Sequence, residues 1–546
     1  MLTRRKLIQS SAAAAAAAAL APRALATAQA EAAQGKGIGK NIVMFITDQE
    51  RAIQNFPKDW AKDNLPGLTR LQQNGITFDN AFCCACMCSP SRASLLTGYF
   101  PAQHGVKYTL EEDMPSPEYP QVELPEDLKN MASVMAASGY DVVYKGKWHL
   151  SKPAGSTAEP SDVAKYGFFR WNPPDAGANQ DISEAGGGST DNDGRYMTSI
   201  GNPADGTEGV LQYLKTRTPA SKPFFLIVSL VNPHDVLLYP RNYVSGGYDS
   251  TWLDGDIELP PTVDENLSSK PTAQAEFLKI MALTGVLPTP TRKRNYLNFY
   301  GNLMKDVDEY LVNVLDTLDD EGLTDDTLVI RTSDHGEMGL SHNGMRQKNF
   351  NFYEETLRVP LVFSNPQLYP TGTSSDIMVS HVDMLPTLAG LVGAPRSARA
   401  DWEGKDYSKQ VLGSSTKPVQ DYVVFTYDDY QAGQASGPYV KPPQHIVSIR
   451  ETRWKLAEYF DAYGKTASQW EMYDLKHDPN ERHNLAAPGA KRTKEQERHQ
   501  RRGAPRIEAP SSVKAVFVAL ASTAMNPKDQ GVRTQTIQGL DDFGLT

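Results

Sequence analysis

The sequence predicts an α/β protein built on a large central, mostly parallel sheet sandwiched by helices. Continuous apolar runs rich in Val, Ile and Phe occupy 42–46, 142–144, 224–231 and 328–330. Runs without polar alternation suit strands buried on both faces, as in a parallel sheet covered by helices. Between them lie helical stretches such as 131–137 and 296–318, the second with apolar residues at helical spacing. Strands alternating with helices give an open sheet, whose ligands collect beyond the carboxyl ends of the strands. At 546 residues the chain is too long for one small core, so two domains, or one large domain with a satellite, are expected.

Each apolar run ends in polar residues. The first leads into Asp48-Gln49, the second into Gly146-Lys147-Trp148-His149, the third into Pro233-His234 and the fourth into Asp334-His335-Gly336. Taken singly, Asp48 reads as a helix cap or turn residue and Asp334-His335-Gly336 as a turn. His149 and His234 singly read as hydrogen-bonded framework histidines. Four such groups at four strand ends point instead to one shared site.

Cys88-Ser89-Pro90-Ser91-Arg92 runs directly into Ala93-Ser94-Leu95-Leu96-Thr97-Gly98. Proline starts a helix well, because its missing N–H has no partner in the first turn. Cys88 is therefore expected just ahead of a helix N-terminus, where free N–H groups and the dipole attract anions. Arg92 adds a charged fork shaped for tetrahedral oxyanions. All four cysteines of the chain, Cys83, Cys84, Cys86 and Cys88, lie together, which also admits a metal knuckle or a disulfide. Structural zinc sites usually draw on two separated pairs, so packed small residues beside the site are the better reading of the first three.

The run from Cys88 to Gly98 resembles the signature of the type I sulfatases of the alkaline phosphatase superfamily, in which this cysteine becomes formylglycine (3-oxoalanine). The resemblance extends over 41–485. It implies metal ligation by Asp48, Gln49, Cys88 in its oxidised form, Asp334 and His335; glutamine at 49 varies on the aspartate common there. Oxygen donors suit Ca²⁺ first, with Mg²⁺ or Mn²⁺ as substitutes. Gly146-Lys147-Trp148-His149-Leu150 matches the family's Lys and His motif, Pro233-His234 its later histidine, and Lys348 its late lysine. By that pattern a hydrated aldehyde attacks sulfur, Arg92 and Lys147 stabilise the diol, and Lys147 and Lys348 neutralise the sulfate. His234 protonates the leaving oxygen, and His149 is the base that regenerates the aldehyde. Trp148, with no ionisable group, reads as packing. Tyr473-Asp474-Leu475, with Asp478-Pro479 and Asn484-Leu485, resembles the closing motif of a smaller C-terminal α+β subdomain and reads as structural.

The domains expected are a signal peptide at 1–30, a catalytic α/β domain at 38–395, a small subdomain at 396–490, and a linker with C-terminal extension at 491–546. Arg4-Arg5-Lys6 ahead of an alanine-rich stretch, with Ala-x-Ala cleavage candidates, looks like a twin-arginine signal and predicts a periplasmic or secreted protein. The net charge of −10 argues against general nucleic-acid binding, and nothing after the N-terminus suits a stable membrane span. The substrate expected is a small-molecule or glycan sulfate ester, and a formylglycine-generating system is the implied maturation partner. Two rival readings stand beside it: a hydrolase of phosphonate monoesters or phosphodiesters using the same centre, and an unmodified, non-catalytic anion-binding protein. The stretches 153–207 and 239–292 are expected as loops at the pocket mouth, where Tyr239, Tyr248 and Trp252 either stack on substrate or are plain surface aromatics. Residues 491–506 read as a solvated linker and 511–524 as a docked helix or subunit contact.

Overall fold

The computed structural model describes residues 40–498 except 54, 111–120, 154–157, 178–180, 199–207, 432–438 and 495. The expected signal peptide and the helix at 511–524 lie outside the described residues. Among the described residues twelve strands are present: β1 (Asn41–Thr47), β2 (Gly75–Phe82), β3 (Ala85–Cys86), β4 (Asp141–Gly146), β5 (Phe224–Ser229), β6 (Thr327–Ser333), β7 (Leu361–Ser364), β8 (Thr373–Ser380), β9 (Tyr422–Tyr427), β10 (His445–Glu451), β11 (Trp454–Phe460) and β12 (Gln469–Asp474). The larger sheet has the order β4-β5-β1-β6-β7-β2-β8. Only β7 runs against its neighbours; the other pairings are parallel, as the apolar runs predict. A smaller sheet, β12-β11-β10-β9-β3, is antiparallel except where β3 joins β9.

The four apolar runs are four adjacent strands. Gly146 and Ile46 both pair with Ser229, and Thr47 pairs with Ser333, so β4, β5, β1 and β6 end at one level. The polar residues that follow are thereby delivered to one edge. Strand alternation splits β1 between two cores: Ile42, Met44 and Ile46 face one, Val43 and Phe45 the other. Helices α1 (Cys88–Thr97) and α2 (Met131–Ala137) cover the first face through Ala93, Leu95, Leu96, Met131 and Val134. Helix α3 (Pro290–Asp320) covers the second through Leu297, Phe299, Leu303 and Val307. Its start is capped by the Thr289 hydroxyl, which accepts from the Arg292 N–H at 3.3 Å, with Pro290 following as the first helical residue.

A buried charge cluster ties the smaller sheet to the larger body. Glu354 accepts from Arg450 of β10 at 3.0 Å and lies 3.1 Å from Lys455 of β11, which also lies 2.7 Å from Glu481. Burial opposes the charge on Glu354, but Lys455 and Arg450 hold its carboxyl well below the usual range; burial pushes Glu481 up to about 7. A carboxyl depressed on folding stabilises the fold above its unfolded value, near 4.3, and loses that contribution as pH falls toward its folded value. Glu354→Gln is therefore expected to cost about 3 kcal/mol at pH 7 by leaving buried cations short of a partner. Urea unfolding should show the gap from wild type narrowing below about pH 4; equal stability at pH 7 contradicts the assignment.

Candidate active site

The site is assembled at that common strand edge. Helix α1 begins at Cys88 itself, two residues earlier than proline-first reasoning suggests, with Pro90 inside the first turn, and it ends at Gly98 in the left-handed region (φ 74°). Every residue of α1 is buried. Strand β3 leads into the helix and pairs with β9, so the approach to Cys88 is held by the smaller sheet. Gly146 ends β4 at φ 96°, and a Cβ there would lie 1.9 Å from the Ser229 carbonyl oxygen. Only glycine permits this approach, which lets the Lys147 N–H reach the same carbonyl at 2.8 Å and turns the lysine inward.

Asp48, Cys88, Asp334 and His335 present ligand atoms that all lie within 4.8 Å of one another, and all four residues are buried. Cys88 Sγ is 3.5 Å from Asp48 Oδ1 and 3.1 Å from His335 Nε2. His335 Nδ1 lies 3.1 Å from the Gly336 carbonyl, which takes its proton and leaves the Nε2 lone pair facing inward. Asp334 Oδ1 accepts from the Gln49 and His335 N–H groups at 3.0 and 2.8 Å. Two carboxylates with an inward imidazole lone pair fit a divalent cation.

Cations ring this group. Lys147 Nζ lies 2.6 Å from Asp48 Oδ2 and donates to the Gly177 carbonyl at 2.5 Å. Arg92 donates from Nε to Asp334 at 2.9 Å and from Nη2 to Asp48 at 3.1 Å. Its Nη1 donates to the Lys147 carbonyl at 3.1 Å and the Ser229 hydroxyl at 2.7 Å. Burial opposes charge on Asp48, yet Lys147, His234 and Arg92 hold it well below the carboxylate range. Asp334 is pushed up to about 7, by burial and then by Asp48. Burial, and then Asp48, also pushes the Cys88 thiol up to about 12. As a cysteine this side chain stays protonated and is a poor nucleophile.

Lys348, from the loop after β6, donates to Gln49 Oε1 at 2.6 Å, while the Gln49 backbone N–H reaches Asp334. His149 is held at φ 58° by Asp175, whose oxygens accept from the Trp148 N–H at 2.7 Å and the His149 N–H at 2.8 Å. The His149 Nε2–H donates to the Leu110 carbonyl, leaving Nδ1 buried without a partner among the described residues. Burial, then Lys147, depresses His149 well below the ordinary imidazole value, so Nδ1 is a free base. His234 follows β5 and lines a cleft that also reaches Gly177, Asp181, Glu184, Arg241 and Thr284.

All ten residues singled out in the sequence are buried at this strand edge. Trp148 packs against Tyr144 and Phe168, with ring centroids 5.3 and 5.4 Å away. Tyr239 and Tyr248 are neither surface aromatics nor open to a substrate, whereas Trp252 is half-buried. Tyr248 lies 4.9 Å from both Trp252 and Phe299 and donates its hydroxyl to Asp235 at 2.6 Å, and Tyr239 is likewise buried, because both tyrosines pack with Phe299 in the core cluster on that face of the sheet. Cys83, Cys84 and Cys86 are free and buried, and among the described residues only Cys88 of the four joins a group of ligand atoms. Asp175 and Glu337 were not legible as site residues. Asp175 follows two prolines with no periodic cue, whereas Glu337, two residues after His335, stood beside a recognised pair.

Fold and site together define a hydrolase of anionic esters with a candidate metal group beyond the carboxyl ends of a parallel sheet. The chain belongs to the sulfatase family: residues 40–394 match the sulfatase family model, and 342–502 match the model for the C-terminal part of N-sulphoglucosamine sulphohydrolase. It is 26% identical over 426 residues to a Delta 4,5-hexuronate-2-O-sulfatase of Bacteroides thetaiotaomicron, covering 77% of this chain and 79% of that one. Among solved structures, a 2-O GAG sulfatase superposes with a TM-score of 0.64 at 21% identity, covering 88% of this chain and 92% of that one. A phosphonate monoester hydrolase from Silicibacter pomeroyi gives 0.60 at 21% identity, with 86% and 95% covered.

Proposed function

We propose that the chain cleaves sulfate monoesters, with Cys88 converted to formylglycine and a divalent cation, Ca²⁺ in the first place, held by Asp48, Asp334, His335, Gln49 and residue 88. The observation that carries this reading is the meeting of Cys88 with Asp48, Asp334 and His335 inside a ring of Arg92, Lys147 and Lys348. A bound cation supplies a lowered hydroxyl pKa and a grip on a sulfate oxygen. Formylglycine, hydrated, supplies an oxygen nucleophile with a second hydroxyl through which sulfate can be expelled. A buried, protonated thiol supplies neither.

The chain's own residues do the rest. Lys147 and Lys348 neutralise the sulfate oxygens in a site where burial strengthens such attraction. His234, at the cleft, protonates the departing alcohol oxygen. Burial holds His234 well below its ordinary value, with Lys147 and Lys348 adding to this and Asp48 opposing it; the charge of the anionic ester favours the protonated ring. His149 Nδ1, without a partner among the described residues, is the base that accepts the proton of the residue-88 hydroxyl. The cleft beside His234 takes the alcohol portion of a small-molecule or glycan ester.

A second reading, hydrolysis of phosphonate monoesters or phosphodiesters, uses the same centre, since the ring of cations suits either tetrahedral anion. Protein matured with a formylglycine-generating system is expected to turn over 4-nitrophenyl sulfate faster than 4-nitrophenyl phenylphosphonate at equal concentration; the reverse order overturns the sulfatase reading. The paired arginines and the cleavage sites near Ala26–Ala30 support export to the periplasm or beyond, which fractionation of cells expressing the full chain checks.

A further inference from the structure

Glu337 is fully buried, two residues beyond His335, and every contact on its carboxyl group is with a donor. Oε1 accepts from the Tyr296 hydroxyl at 2.7 Å, the Gly339 N–H at 3.1 Å and the Gln347 N–H at 2.9 Å. Oε2 accepts from the same Gln347 N–H at 3.0 Å and from Gln49 Nε2 at 2.6 Å. On the other side of the Gln49 amide, Oε1 accepts from Lys348 Nζ at 2.6 Å. The amide is thus clamped between a group that only accepts and one that only donates. Turning it over would set its NH₂ against the ammonium and its oxygen against a carboxylate, so one orientation is allowed.

We infer that Glu337 is a positioning residue that fixes the Gln49 oxygen toward Lys348, the orientation in which Gln49 would serve as the metal ligand proposed above, and that its carboxylate is the reason an amide stands at position 49. The inference rests on the metal reading of this site. A carboxylate at 49, as in many relatives by the resemblance above, would here face the Glu337 carboxylate in a buried site, and like charges so placed repel strongly. Glu337 also holds the backbone of Gln347, the residue before Lys348, so one carboxylate sets both halves of the Gln49–Lys348 contact.

Exchanging the two groups tests this. Gln49→Glu brings two carboxylates together, Glu337→Gln frees the amide to turn, and the double variant restores one carboxylate and one amide at unchanged total charge. Calorimetric titration with Ca²⁺ alone is expected to show about tenfold weaker binding in each single variant, the scale of outer hydrogen-bond partners of a metal site. The double variant should recover most of that loss, and the melting temperature should follow the same non-additive pattern. Losses that multiply in the double variant overturn the inference, because a purely structural Glu337 does not respond to residue 49. A wild type that binds no Ca²⁺ overturns the metal reading itself, and with it the role given to Glu337, whereas absent sulfatase turnover with intact Ca²⁺ coupling overturns only the substrate assignment.

Discussion

Replacing Cys88 by serine is expected to abolish steady-state turnover, by roughly the 10⁴-fold or more that follows removal of a nucleophile. Under the proposed mechanism, serine lacks the second hydroxyl of a hydrated aldehyde. Its hydroxyl has no geminal partner, so a sulfate ester formed on it has no route to C=O and must await water attacking sulfur. The expected signature is one sulfate retained per chain, seen as a mass increase on the peptide containing residue 88 after exposure to substrate. Alanine at 88 should be equally inactive but unlabelled. Wild-type peptide maps should show an aldehyde at 88 in the active fraction. Active protein with a uniformly free thiol there would overturn the mechanism, because burial pushes that thiol up to about 12 and it stays protonated at neutral pH.

The legible parts of this molecule were those fixed by local chemistry. Buried strands need uninterrupted apolar runs, so β1, β4, β5 and β6 stood out, and their polar followers marked one sheet edge before any topology was known. The sheet order was not legible, because nothing in a run of Val and Ile says which neighbour it takes. The start of α1 was misplaced by two residues because the Cys88 backbone is already helical when Pro90 arrives, and proline is tolerated anywhere in a first turn. The supporting residues were hidden for a related reason. Asp175 and Glu337 act on backbone N–H groups and on side chains brought close only by folding, such as Gln49, which is 288 positions from Glu337. Tyr239 and Tyr248 misled in the opposite sense: a polar neighbourhood in sequence suggested exposure, while Phe299 of α3 draws them into the core.

Arg92→Ala is expected to do the greatest structural damage of any single change at the site, because the guanidinium is its electrostatic keystone. With side-chain exposure of only 2%, it spans two carboxylates that are themselves fully buried, and it bonds β5 through Ser229 and β4's end through Lys147. Asp334 is already pushed up to about 7 by burial and by Asp48. Removing the cation leaves those two acids facing each other with Lys147 alone, and breaking a buried pair from one side costs about 3–5 kcal/mol. The variant should unfold at markedly lower urea, and added Ca²⁺ should recover part of the loss by neutralising the same carboxylates. Arg92→Lys separates charge from shape: an ammonium keeps the unit charge but cannot direct donors to Asp48, Asp334, Lys147 and Ser229 at once. It should therefore keep more stability than alanine while turnover falls about 100-fold or more, as when a donor preorganised for the transition state is lost. Wild-type turnover in Arg92→Lys would show that charge alone suffices, and that the fork geometry read from the structure has no part in the reaction.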